Sequence, residues 1–195
     1  MELIFATNNR HKIREISSLL NPGTKLAGLA DVNITEEIPE EWETLEENAL
    51  FKARFVHKRT GMNVFADDTG LEVEALDGAP GVHSARFAGE DKDSSSNITK
   101  LLGLMEGLKN RNARFRTVIA LIYDHTEYLF EGTVNGRIIE ERKGSEGFGY
   151  DPVFMAEEYN LTFAEMPLPE KNKISHRARA FAGLLKFLSE HTPSK

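Results

Sequence analysis

The residues best suited to chemistry are Asp67 and Asp68, which follow the apolar Val64-Phe65-Ala66 and run into Thr69-Gly70. Between two apolar runs, Asp-Asp-Thr-Gly reads first as a turn joining two strands. Successive strand side chains point to opposite faces, so at most one aspartate faces a given cleft unless the turn has begun. At a strand end, such a carboxylate serves as a metal ligand or a general base. Asp-Thr-Gly is also the aspartic-protease signature, but those enzymes need two such aspartates sharing a proton, and one copy would require a dimer. Their folds are almost wholly β, whereas this chain carries four well-marked helices. Upstream lies the acidic run Glu36-Glu37-Ile38-Pro39-Glu40-Glu41. It reads either as a solvated loop whose carboxylates favour the following helix start, or as the source of one acid that joins Asp68 around a hard cation. Mg²⁺ takes few carboxylates, several waters and phosphate oxygens, so two or three acids suffice. His11, His57, His83, His125, His176 and His191 are scattered; no close His pair, and hence no competing metal site, is expected.

Positive charge gathers in two places: Arg10, His11, Lys12 and Arg14 at the first expected helix start, and Lys171, Lys173, His176, Arg177 and Arg179 near the last. Cations are unfavourable at a helix N-terminus, where the dipole is already positive. A phosphate there gains both from the open N–H groups and from the basic side chains. One such cluster is ordinary surface; two point to an anion. No Walker-type sequence is present, and Gly144–Gly149 does not follow the G-x-G-x-x-G order, so neither common phosphate loop supports a nucleotide. Phe148-Gly149-Tyr150-Asp151 either offers aromatic faces to a base or simply packs a loop.

These residues need elements to hold them. Met1–Ala6 is a short buried strand, and Ile13, Ile16, Leu19 and Leu20 repeat at helical spacing until Asn21-Pro22-Gly23. Residues 24–43 read as irregular. Thr44-Leu45-Glu46-Glu47 fits a capping box, and Leu45, Ala49, Ala53 and Val56 form a stripe that carries a helix to about Thr60. Val64–Ala66 and Leu71–Leu76 are strands, and Asp77–Gly81 is a loop. Ile98, Leu101, Leu102, Met105 and Leu108 mark a third helix. Ala113–Tyr123, Glu127–Val134 and Arg137–Arg142 are consecutive strands. Ala178, Phe181, Ala182, Leu185 and Leu188 define a last helix capped by Ser175. The expected fold is α/β: a mixed sheet flanked by helices, in a single domain over residues 1–195.

Composition sets the outer bounds. The 195 residues carry 24 Lys+Arg and 31 Asp+Glu, a net charge of −7, and 40% are hydrophobic. That is ordinary for a globular protein and too apolar for a disordered one. With no cysteine, disulfides, thiolate catalysis, zinc–thiolate sites and iron–sulfur clusters are excluded. The acidic balance argues against long nucleic acids as partners. Met1–Phe5 runs straight into polar sequence, unlike a signal peptide, and Val118–Tyr123 is far short of the roughly 18 apolar residues of a membrane span. A cytoplasmic protein without membrane or nucleic-acid partners is expected.

Five short motifs in order resemble the inosine triphosphate pyrophosphatase family, also called Ham1-like. Thr7-Asn8-Asn9-Arg10-His11-Lys12 fits its T-x-N-x-x-K start, and Glu46-Glu47-Asn48-Ala49 with Lys52 fits its first long helix. Ala66–Leu71 with Gly78–Arg86 follows, then Gly147–Phe154, and finally Lys171 with Ser175-His176-Arg177. The resemblance runs nearly end to end. It implies an elongated α/β fold with an active cleft between two lobes, a homodimer, and Mg²⁺-dependent hydrolysis of ITP, dITP and XTP to monophosphate and pyrophosphate. It implies Asp68 as general base and metal ligand, with Glu40 as the second ligand and Glu41 its competitor. Thr7, Asn9, Lys12, Lys52 and Lys171 are implied triphosphate contacts. Phe148, Gly149, Tyr150, Asp151, His176 and Arg177 are implied to surround the purine. Thr69 stands where the family usually has Ser, and Trp42 where Gly is common.

Overall fold

The computed structural model of the chain describes residues 2–20 and 25–191. Its elements are β1 (Glu2–Phe5), α1 (Arg10–Ser17), β2 (Lys25–Ala27), α2 (Leu45–Thr60), β3 (Val64–Val73), β4 (Pro80–Gly81), α3 (Ser94–Leu104), β5 (Asn112–Tyr123), β6 (Thr126–Ile138), β7 (Phe154–Ala156), α4 (Leu168–Ile174) and α5 (His176–His191). The strands form one sheet in the order β2-β1-β3-β5-β6-β7, with β4 paired to β3. β1 runs parallel to β2 and β3, while β4 and β7 run antiparallel to β3 and β6. The sheet is therefore mixed, as the sequence implied. No helix among the described residues is long and apolar enough to cross a membrane.

Local chemistry explains the helix ends. Asn9 caps α1, its Oδ1 accepting from His11 N at 2.9 Å and Lys12 N at 3.2 Å. The helix closes at Ser17, and the expected stop at Asn21-Pro22-Gly23 lies outside the described residues. Thr44 Oγ1 accepts from Glu47 N at 3.2 Å and donates to the Glu47 carboxylate at 2.8 Å. At the other end Gly61, at φ 66°, takes the left-handed cap, so α2 stops at Thr60 as its stripe predicts.

Two expected breaks do not occur. Asp67–Gly70 is not a turn but the interior of the ten-residue β3. Gly70 serves a close approach: a Cβ there would sit 2.7 Å from the Gly81 carbonyl oxygen of β4. The strands expected at Glu127–Val134 and Arg137–Arg142 merge into one strand, β6, which ends at Ile138 and leaves residues 139–142 outside any strand. Gly136 lets it continue past β7, since a Cβ there would lie 2.3 Å from Met155 O. Short β2, β4, β7 and α4 carry too few residues for a periodic signal, and residues 24–43 hide β2.

Two compact units divide the chain. The first comprises Met1–Asp68, Thr117–Gly132 and Arg177–Lys195; the second comprises Thr69–Arg116 and Thr133–His176. The first has its own core of Leu3, Phe5, Ile16, Phe65, Ile119, Leu121, Phe181 and Leu184, with Phe5 and Phe65 stacked at 4.4 Å. The second buries Leu71, Val73, Leu101, Met105, Phe115, Val153, Phe154 and Phe163. Each fully buried large apolar side chain stabilises by about 1.5–3 kcal/mol.

Candidate active site

The candidate residues fall into two sets, one in each unit. In the first, β3 carries Asp67 and Asp68 side by side, and their surroundings differ sharply. Asp67 is buried between two cations: Lys12 Nζ lies 2.9 Å from Oδ1, and Arg177 Nε lies 3.1 Å from Oδ2. A second nitrogen of Arg177, Nη1, bonds the buried carboxylate of Glu15. Burial alone would raise the Asp67 pKa, but Lys12, Arg177 and Lys52 outweigh it and hold the carboxyl well below the usual range. Asp68 instead meets Lys52, whose Nζ is 3.6 Å from Oδ1 and also bonds Glu40. Here burial wins over the lysines, helped by Glu40 and Asp67, and the Asp68 pKa is raised. For Lys52, burial opposes the charged form, yet Asp68, Glu40 and Asp67 prevail and hold it up at about 12.

The loop bearing Glu40 is pinned to α2. Trp42 N donates to Asn48 Oδ1 at 3.2 Å, Asn48 Nδ2 donates back to Trp42 O at 3.3 Å, and the indole packs tilted against Phe51 at 4.0 Å. Of the two competing glutamates, Glu40 is turned to Lys52 while Glu41 is exposed. Two carboxylates sharing one ammonium are hard oxygen donors of the kind a divalent cation takes. Among the described residues no three His, Asp or Glu side chains converge, so water and ligand oxygens must complete any such shell. Thr7 and Asn9 shape the turn before α1: Asn9 N donates to Thr7 Oγ1 at 3.2 Å, and the Asn9 side chain caps the helix.

In the second unit the loop around Gly147 folds onto Asp151. Phe148 N donates to Asp151 Oδ2 at 2.9 Å, and Lys171 Nζ donates to the same oxygen at 2.6 Å. Gly147, at φ 73°, is required: a Cβ would sit 2.0 Å from that oxygen. Lys171 also lies 5.3 Å above the Phe148 ring. Tyr150 is buried and donates to Ser84 O at 2.9 Å, and burial pushes its phenol pKa up. His176 stacks on Phe115 at 4.5 Å. Phe148 and Gly149 are half-exposed, as is Thr69, the residue after Asp68 on β3.

One sequence argument needs correction. Lys171 and Lys173 do not sit at the start of the last helix; they occupy the last turn of α4, where the dipole favours cations. Only His176, Arg177 and Arg179 open α5, so the case for an anion at two helix N-termini is weaker than the charge pattern implied. Glu15 and Asn48 were missed. Asn48 lies within the Glu46-Glu47-Asn48-Ala49 motif, whereas nothing local marks Glu15, whose partner lies 162 residues away.

A strand-borne carboxylate and a loop glutamate joined by one lysine place hard oxygen donors beside a fixed cation on an α/β fold. The chain belongs to the Ham1 family, which it matches over residues 3–187. It is 56% identical to a protein named dITP/XTP pyrophosphatase from Porphyromonas gingivalis, over 96% of this chain and 97% of the relative. It is 50% identical to a protein of the same name from Christiangramia forsetii, over 97% and 100%. The solved structure of the Staphylococcus aureus Ham1 protein superposes with a TM-score of 0.89 at 37% identity, covering 98% of this chain and 100% of that one.

Proposed function

We propose that this chain hydrolyses purine nucleoside triphosphates bearing hypoxanthine or xanthine (ITP, dITP and XTP) to the monophosphate and pyrophosphate. The observation that carries the reading is the Lys52-joined pair of Glu40 and Asp68, in a chain whose full-length relatives bear that activity in their names. Asp68 takes the proton of the water that attacks the α-phosphorus. Burial holds its pKa above that of an ordinary aspartate, whose value is about 3.9. Held at about 12, Lys52 stays an ammonium at neutral pH; it is an electrostatic partner of the phosphates and never a base. Lys12 and Arg177 fix Asp67, which anchors the strand under Asp68. Glu40 and Asp68 would hold Mg²⁺, which when bound would supply charge neutralisation for the triphosphate and Lewis acidity toward water.

Thr7, Asn9, Lys12, Lys52 and Lys171 contact the triphosphate in this reading, Phe148, Gly149, Tyr150, Asp151, His176 and Arg177 serve the purine side, and Thr69, next to Asp68, is a further substrate contact. A 6-oxo base accepts where adenine donates, so a backbone N–H facing it discriminates by up to about 10⁴-fold. The family resemblance extends the proposal to a cytoplasmic homodimer, which light scattering after size exclusion tests. The decisive experiment measures kcat/KM with Mg²⁺ for ITP, XTP, dATP, dGTP and dUTP, scoring pyrophosphate against orthophosphate, in wild type and Asp68→Asn. ITP and XTP should lead, pyrophosphate should be the first product, and Asp68→Asn should abolish turnover while nucleotide binding persists. Near-normal turnover in Asp68→Asn would sink the assignment. A lead for dUTP would redirect it to other bases, and binding without turnover in wild type would make the chain a binding module.

A further inference from the structure

The expectation of scattered histidines fails at one place. His57, in the last turn of α2, and His125, in the β5–β6 turn, meet with Nε2 and Nδ1 3.2 Å apart although 68 residues separate them in sequence. Each ring is positioned by its own element. His57 Nδ1 lies 2.7 Å from Met62 O; a carbonyl only accepts, so Nδ1 carries the proton and Nε2 presents its lone pair. His125 is the second residue of a two-residue turn in which Asp124 and His125 both take positive φ, 47° and 63°. That turn is tied down by Asp124 N donating to Asn63 Oδ1 at 3.1 Å.

We propose that His57 Nε2 and His125 Nδ1 form a surface site for a borderline divalent transition metal such as Zn²⁺. Two zinc–imidazole bonds of about 2.0–2.1 Å place their nitrogens about 3.3 Å apart at a tetrahedral angle and about 2.9 Å apart at a right angle. The observed 3.2 Å lies within that interval. The carbonyl acceptor behind His57 is the support that orients metal-bound imidazoles. The carbonyl end of α2 also favours a cation beside its last turn. The metal replaces the proton shared between the rings, with His125 carrying its remaining proton on Nε2. His125 is exposed and His57 half-buried, so an ion reaches the pair. The nearby Glu127 is engaged by Arg54 at 2.6 Å, and among the described residues no third His, Asp or Glu joins the pair. Water fills the remaining positions, and imidazole donors select such metals over Mg²⁺.

The test is a Zn²⁺ titration of the whole protein at pH 7.5 in millimolar Mg²⁺, read by competition with a chromophoric zinc indicator, with the two histidine variants isolating the proposed site from the carboxylates. Two variants accompany it: His57→Gln, and His125→Asn, whose side chain tolerates positive φ. Wild type should bind Zn²⁺ at a site that each variant weakens about tenfold or more, and the double variant should lose no more than either single. In wild type, the imidazole ¹⁵N resonances of His57 and His125 should move on Zn²⁺ addition while that of His191 stays. Equal Zn²⁺ affinity in wild type and both variants, or resonance shifts confined to other histidines, would overturn the proposal.

Discussion

Replacing Arg177 by Met should destabilise the protein more than any loss of contact area implies. The guanidinium is 2% exposed, with Nε 3.1 Å from Asp67 Oδ2 and Nη1 on the buried Glu15. Methionine keeps much of the aliphatic stem, so the change is mainly one of charge. Asp67 keeps Lys12 at 2.9 Å, while Glu15 loses this guanidinium from a 4% exposed position. Removing one member of a buried ion pair costs about 3–5 kcal/mol, which for a chain of this size lowers Tm by about 6–20 °C. Glu15→Gln added to Arg177→Met should recover about 1–3 kcal/mol, because a buried amide is cheaper than a buried carboxylate without its cation. The pH dependence follows from Asp67, whose folded pKa is depressed. Its stabilisation is present above the unfolded-state value of about 3.9 and is lost as pH falls through the folded value. Arg177→Met lessens the depression, so its deficit should be largest at neutral pH and narrow below about pH 4. Urea titrations followed by the fluorescence of Trp42, the sole tryptophan, measure all three arms. A deficit under about 1 kcal/mol at pH 7 with unchanged m-value would refute the reasoning, since only an inconsequential ion pair gives that result.

Lys52→Met removes the ammonium that Glu40 and Asp68 share; steady-state kinetics should show kcat/KM for ITP falling about 10²–10³-fold, and a loss under threefold would count against its role. Tyr150→Phe should start about 1 kcal/mol less stable, having lost the bond to Ser84 O. Because burial raises the phenol's folded pKa, its stabilisation is complete below the unfolded value of about 10 and is lost as pH climbs from there toward the folded one. Urea melts from pH 8 to 11 should therefore show wild type declining toward the flatter Phe variant. Gly147→Ala costs about 1–2 kcal/mol in the left-handed region, and its Cβ, 2.0 Å from Asp151 Oδ2, displaces that carboxylate from Lys171. ITP should then bind more weakly in calorimetry, whereas Gly61→Ala, also at positive φ but with open space around it, should affect only stability.

What could be read from the sequence was what neighbours in the sequence determine. The Thr44 cap and the buried stripe of α2 lie within one short span, so pattern alone placed its start at Thr44-Leu45 and its end at about Thr60, where the structure closes it. Asp67-Asp68-Thr69-Gly70 was misread because turn chemistry is local while its suppression is not. A buried carboxylate belongs inside a strand only when cations arrive to meet it, and those of Asp67 come from residues 55 and 110 positions away. The same long-range pairing hid Glu15, and it hid the meeting of His57 with His125.

The two adjacent aspartates show why that information matters for function. Identical side chains on one strand share a backbone, a burial class and a propensity, and no sequence rule assigns them different jobs. The structure gives them different partners. Asp67 receives Lys12 and Arg177 and is fixed as an anion; such a group holds its neighbours but is too weak a base to take a proton. Asp68 receives Lys52 at 3.6 Å, a lysine already bonded to Glu40, and its pKa moves the other way. Two titratable groups pushed apart by their surroundings are the usual sign of divided labour at an active site. The division also makes the pair separable by experiment: substitution of Asp67 should register first in stability, and substitution of Asp68 in turnover with stability retained or improved.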